Sequence, residues 1–174
     1  MNGPTHVFLS MQLSDVIIRD IAPADNAAIA RIIRTSLEEF GANHPGTVYY
    51  DKETDHLYEL FQSTPGSWYF IATHNEQLLG GAGIFPTKGL PEGTCELVKM
   101  YLHANARGLG LGQRLLHTCF AKAKELGYTH MYLETMPELN RAIPMYEKNG
   151  FHYLDGPMGQ TGHFGCAIQM MKAL

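Results

Sequence analysis

The chain has few of the residues that staple a small domain together. It carries three cysteines, Cys95, Cys119 and Cys166. That is an odd number, at spacings that form neither a CxxC pair nor a zinc ligand set. A disulfide scaffold is excluded, and the expectation is three buried, reduced thiols. Positive charge is also scarce: 13 Lys and Arg stand against 17 Asp and Glu, for a net charge of −4. A nucleic-acid surface is therefore not expected. No apolar run approaches the roughly 20 residues that span a bilayer. The first residues lack the basic and apolar regions of a signal peptide. No membrane partner is expected, and a cytoplasmic location is. The nine histidines show no HxxxH spacing, so no metal is expected either. Internal repeats, low-complexity tracts and linkers are absent as well.

The chain has 174 residues, 45% of them hydrophobic, enough for one domain with a substantial core. Residues 1–13 read as a loose tail, with Met11 as an alternative natural start to Met1, and 14–174 as a single domain. The β-branched run 16–19 predicts a strand. Asp25 then reads as an N-cap, and Ile29, Ile32, Ile33 and Leu37 recur at helical spacing. A second short helix is expected over 55–62. Strands are expected over 68–72, 78–85 and 95–102, with polar turns between them, so these three form an antiparallel meander. A helix follows over 108–126, its apolar stripe at Leu111, Leu115, Leu116, Cys119 and Ala123. A strand over 130–135 should lie parallel to its predecessor, because a helix connects them. A helix over 140–148 and strands over 151–154 and 167–171 complete the order βααβββαβαββ. The fold class is α/β, a mixed sheet in one domain.

The densest signal is the turn between the strand over 95–102 and the helix after it, Arg107-Gly108-Leu109-Gly110-Leu111-Gly112. Glycines here let bare amides approach a ligand, and the helix dipole favours negative charge. A diphosphate fits, with Arg107 and Arg114 as added charge. A P-loop requires Lys-Ser/Thr after its last glycine, where this chain has Gln113 and Arg114. A dinucleotide fingerprint requires its third glycine at position 113, again Gln113, although Glu134 ends the next strand where a ribose-binding acid would sit. A structural turn that binds nothing is the remaining alternative.

With the strand before it, Leu133-Glu134-Thr135 after it and then Tyr146-Glu147-Lys148-Asn149-Gly150-Phe151, the turn resembles that of the GCN5-related N-acetyltransferase (GNAT) superfamily. The resemblance is specific over 95–153 and looser outside it. It implies a GNAT-like sheet with two splayed central parallel strands, and acetyl-CoA as co-substrate. It places the pantetheine arm along the main chain of Met100, Tyr101 and Leu102. The pyrophosphate would rest on the turn, at Arg107, Gly108, Leu109, Gly110, Leu111, Gly112 and Gln113. The family often carries an Asn seven residues before its tyrosine; that position is Leu139 here, and neighbouring Asn140 is either a pantetheine contact or a helix N-cap.

The implied reaction is direct acetyl transfer to a primary amine of a small metabolite or amino acid. The alternatives are a protein N-terminal or lysine acetyltransferase and an acyl-CoA sensor without turnover. Tyr146 matches the tyrosine that protonates the leaving thiolate, and a phenol near its ordinary pKa of about 10 suits a thiol. The amide of Met100 or Tyr101 is the implied oxyanion donor. For the base, Glu96 shares a strand face with Val98 and Met100 if pairing is regular, and Glu134 is its rival. The loops over 40–55 and 155–163 are expected to meet the acceptor, with His44, Tyr49, Tyr50, Asp51 and His163 as contacts or as ordinary loop residues. Dimers are common in the family, so a homodimer is an expectation that the sequence does not fix.

Overall fold

The chain is described by a computed structural model covering residues 11–174. Most of the expected tail lies outside the described residues, but Met11 and Leu13 pack against the core. The strands are β1 (Ile17–Asp20), β2 (Trp68–His74), β3 (Gln77–Phe85), β4 (Thr94–Leu102), β5 (His130–Thr135), β6 (His152–Tyr153) and β7 (Ile168–Ala173). They form one seven-stranded sheet in the order β1-β2-β3-β4-β5-β7-β6. The meander β2–β4 is antiparallel as expected, and β4 and β5 are the parallel pair. No helix among the described residues is long and apolar enough to cross a membrane.

The four α-helices among the described residues are α1 (Asn26–Glu39), α2 (Leu57–Ser63), α3 (Leu111–Glu125) and α4 (Ile143–Lys148). They give the sheet two covered faces. On one, Ile29, Ile33 and Leu37 of α1 and Leu57 and Phe61 of α2 pack on Tyr69 and Ile71. On the other, the α3 stripe and Tyr146 of α4 pack on Ala82, Ile84, Leu97 and Leu133. Each fully buried aliphatic side chain contributes about 1.5–3 kcal/mol of transfer free energy, so both stripes drive the three-layer arrangement.

Several boundaries differ from the sequence expectation. Helix α3 begins at Leu111 rather than 108, because Gly110 adopts φ 85°, outside the helical region. The last helix begins at Ile143 rather than 140, after a separate 3-10 turn at Pro137–Leu139. Finally, the last strand runs over Ile168–Ala173 and inserts between β5 and the two-residue β6.

Candidate active site

Strands β4 and β5 pair only at Thr94–His130, Cys95–Met131 and Glu96–Tyr132. Beyond Glu96 they diverge, and the edge of β4 facing β5 is left open. A bulge accompanies the divergence. Val98 opposes Gly83 and Tyr101 opposes Gly81, so Lys99 and Met100 together face Ala82. Lys99 adopts φ 48°, uncommon for a residue with a side chain. The Tyr69 hydroxyl holds the bulge by donating to the Lys99 carbonyl at 2.7 Å. The bulge also corrects the expected alternation. Glu96 and Val98 share the α1 face, but Met100 is turned to the α3 side and Tyr101 to the α1 side.

The gap between the strands is the mouth of a cavity of about 450 Å³. Its lining includes Ser36, Phe40 and Val48 from the α1 side and Gly112, Met145 and Tyr146 from the α3 side. The cavity thus passes through the sheet. Met100, Tyr101, Leu102, Arg107, Gly108, Gly110 and Gln113 also line it. Leu111 is buried in the core and Leu109 is exposed, so only their main chain could serve the turn.

On the α1 side three acidic or basic side chains from distant segments converge. Glu96, Glu134 and His163 each bring a ligand-type atom within 4.8 Å of the others. Oxygen and imidazole donors so placed could hold a cation, which no sequence spacing had indicated. The two glutamates, rivals in the sequence reading, are neighbours with different surroundings. Glu134 accepts from the Tyr132 hydroxyl and the Thr161 hydroxyl, each at 2.7 Å. Glu96 is 5% exposed and accepts one hydrogen bond, from Thr87. Burial, reinforced by the Glu134 charge, pushes its carboxyl up to about 7, despite Thr87, His163 and Lys99. His163 in turn meets Asp51 at 2.9 Å, and Asp51 pairs with Lys99 at 3.2 Å. Burial would raise the Asp51 carboxyl, but the His163 hydrogen bond and the Lys99 charge outweigh it and hold it below the ordinary range.

The two loops expected to meet an acceptor do come together. Gly165 donates its N–H to the Gly46 carbonyl at 2.9 Å, and the His163–Asp51 contact lies beside it. Of the residues singled out there, His163 lines the cavity and Asp51 stands behind it. Tyr49 is turned to Glu38, Tyr50 is exposed and His44 lies 3.8 Å from Glu138; none of the three lines the cavity.

The fold and this site have counterparts among known proteins. The model of the Acetyltransferase (GNAT) family matches residues 29–151. The Escherichia coli protein named uncharacterized N-acetyltransferase YjgM is 37% identical over 159 residues, 91% of this chain and 95% of that one. The chain belongs to the GNAT acetyltransferase family. An IAA acetyltransferase of Azospirillum brasilense is 31% identical over 127 residues, 72% of this chain and 80% of that one. Among solved structures, a GNAT-family acetyltransferase of Staphylococcus aureus superposes with TM-score 0.77 at 18% identity, over 91% of this chain and 99% of that one. The PaiA N-acetyltransferase of Thermoplasma acidophilum, solved in complex with coenzyme A, gives TM-score 0.71 at 19% identity, over 91% and 99%.

Several residues that the sequence had marked are placed differently from expectation. Arg107 is tied into the fold: it donates to the Leu102 carbonyl, Ser36 and Glu39 and lies over the Phe40 ring. Arg114 donates to the carbonyls of Leu13 and Val16, so its charge serves the N-terminal segment instead of the turn. Asn140 is exposed outside the cavity, which Leu139, Arg141 and Ala142 line. Nor does it cap α4, whose N-cap is Ala142. Tyr146 is buried beside Phe151, and its hydroxyl has no hydrogen bond among the described residues. Burial pushes its phenol well above the ordinary value, which corrects the expected match to a thiol. Sequence reasoning missed Tyr69, Thr87, Tyr132 and Thr161, which hold the bulge and the carboxylates. Gly81 and Gly83, facing an aromatic strand, were the one available hint.

Proposed function

We propose that this GNAT-family enzyme transfers the acetyl group of acetyl-CoA directly to the primary amine of a small metabolite or amino acid. The observation that carries the reading is the passage through the sheet, open at the glycine turn and roofed at the carboxylate end by two joined loops. The open β4 edge suits an amide-bearing arm, which would add to the sheet like a strand. The turn amides before α3 suit a diphosphate. An acceptor entering from the α1 side meets Glu96 and Glu134, whose charge favours an ammonium group. A roofed pocket of this size favours a small amine over an extended protein segment, and a buried carboxyl and an unbonded tyrosine lining one cavity argue against a mere sensor.

In this reading Glu96 takes a proton from the ammonium, aided by a carboxyl poised near neutral pH. The freed amine forms a C–N bond as the C–S bond breaks. The amide of Met100 or Tyr101 at the bulge faces the developing oxyanion. A phenol raised this far is a poor full acid. Tyr146 therefore acts chiefly by donating a hydrogen bond to the thiolate, which takes up the second amine proton.

Calorimetric titration with acetyl-CoA, with CoA and NADH as controls, tests the co-substrate; thiol release over an amine panel tests the acceptor. Saturable acetyl-CoA binding and turnover of small amines but not peptides are expected. Binding of NADH alone would overturn the reading. At Gly110 a Cβ would find only Leu13 Cδ2, at 3.5 Å. Asn tolerates the left-handed backbone there. Gly110→Asn should therefore keep its affinity, while Gly110→Asp, alike in size but charged, should lose at least about tenfold.

A further inference from the structure

We infer that the acceptor is a primary amine on an apolar body, an alkyl- or arylalkylamine with no carboxylate on its amine-bearing carbon. This rests on the acetyl-transfer reading and narrows its acceptor.

The inference comes from what stands beside each polar group at the acceptor end. Four segments meet there, and each supplies one polar or charged side chain and one apolar one. On β4, Val98 follows Glu96 on the same face. After β5, Met136 continues the extended backbone two residues beyond Glu134, so both point the same way. In the first roof loop the Val48 carbonyl accepts from the Asp51 N–H at 3.3 Å, one turn apart. In the second, the His163 carbonyl accepts from the Cys166 N–H at 3.0 Å, and a buried thiol packs as a small apolar group. Leu139 completes the ring, its N–H donating to the Met136 carbonyl at 3.0 Å. Val48, Val98, Met136, Leu139 and Cys166 all line the cavity, and all belong to the apolar cluster on the α1 side. The result is an acidic head inside an apolar sleeve.

The head favours an amine and refuses a carboxylate beside it. It holds three carboxyl groups, Glu96, Glu134 and Asp51, against one lysine. Lys99 Nζ and His163 Nε2 both meet Asp51 Oδ2, at 3.2 and 2.9 Å, and the Lys99 side chain is 8% exposed. The other cations of the lining, Arg107 and Arg141, stand at the opposite end. Their Cζ atoms lie 4.9 and 5.9 Å from the centroid of the Phe40 ring, and Arg107 donates to the Leu102 carbonyl. Leu102 ends β4 on the order of 20 Å of strand beyond Glu96. The carboxyl carbon of an α-amino acid is about 2.5 Å from its nitrogen. It would therefore enter the acidic head with the amine and find no free cation among the described residues. An apolar body meets the sleeve instead, where burial favours it.

The experiment compares acceptors by thiol release from acetyl-CoA, on the full chain. Leucine, leucinol and 3-methylbutylamine share one branched body and differ only at the amine-bearing carbon. The last two should be acetylated, with leucine at least about hundredfold below leucinol in kcat/KM. From ethylamine to pentylamine, kcat/KM should climb about threefold per methylene, and ethanolamine should fall below propylamine. Val48→Thr, alike in shape with a hydroxyl added, should cost pentylamine several-fold more than ethylamine. Leucine within about threefold of leucinol would overturn the inference, as would a flat alkyl series, and either would leave acetyl transfer standing. If no amine releases thiol, ligand-observed NMR on the CoA-loaded protein decides. Binding of pentylamine and leucinol but not leucine would then uphold the head and sleeve while the transfer reading falls. Equal binding of all three, or of none, would overturn both.

Discussion

At the residue scale the site is defined by one carboxyl held against its preference for water. Glu96 sits at about 7 where an exposed glutamate would be at 4.5. On the proposed reading it is a base that works only when ionised, so the rate should rise through about pH 7, and Glu96→Gln should remove that limb while lowering kcat/KM by about 10²–10³. Stability moves the opposite way. A raised carboxyl favours the folded state most when protonated, so its contribution is complete below the unfolded value and is lost as pH rises through the folded one. Above about pH 7 the loss is on the order of 3 kcal/mol. Denaturant unfolding at pH 5 and pH 8 should therefore show wild type weakening relative to Glu96→Gln, and parallel curves would refute the assignment. Tyr146→Phe tests the other pole. Turnover should fall roughly ten- to hundredfold with acetyl-CoA affinity nearly intact, since the hydroxyl bonds to nothing else among the described residues. An unchanged rate of the chemical step would remove Tyr146 from the reaction.

At the element scale the bulge of β4 converts a regular strand into half of a site. Its support crosses three strands: Gly81 and Gly83 on β3 leave room for the Tyr69 ring of β2, and Tyr69 holds the Lys99 carbonyl. A Cβ on Gly83 would meet Tyr69 Cδ2 at 2.5 Å and the Trp68 carbonyl at 2.7 Å, and a backbone oxygen cannot step aside. Gly83→Ala should thus cost about 1–3 kcal/mol of stability and weaken acetyl-CoA binding by loosening the bulge; thermal unfolding and calorimetry on the same sample read both. Most elements were legible because their cause is local: short apolar runs bounded by turn residues mark β2 and β3, helical spacing marks α1 and α3, and the glycines mark the turn. The bulge was not legible. Lys99 is an ordinary strand residue to any local rule, and its φ of 48° goes with a hydrogen bond from a tyrosine 30 residues away. The reading that Met100 shares a face with Glu96 failed for that reason alone.

At the scale of the whole molecule, the acceptor end is assembled from segments that no spacing connects. His163 and Asp51 are 112 residues apart, and Glu96 and Glu134 meet because β4 and β5 are parallel neighbours. The sequence could name both glutamates as rival bases but not pair them, since their relation depends on register across the sheet. That the loops over 40–55 and 155–163 join into a roof was not legible. That roof hangs on a close approach: a Cβ on Gly165 would stand 2.8 Å from the Pro45 carbonyl and 3.0 Å from that of Gly46. Gly165→Ala should push the loops apart and disturb the Gly165–Gly46 hydrogen bond, while the glycine turn, on the other side of the sheet, stays as it is. The expected result is an amine KM raised about tenfold, equivalent to about 1.4 kcal/mol, with acetyl-CoA affinity unchanged and longer amines newly accepted. If affinity for both substrates fell together, the two ends of the passage would not be independent, and the roof would be part of the cofactor site rather than the element that selects the acceptor.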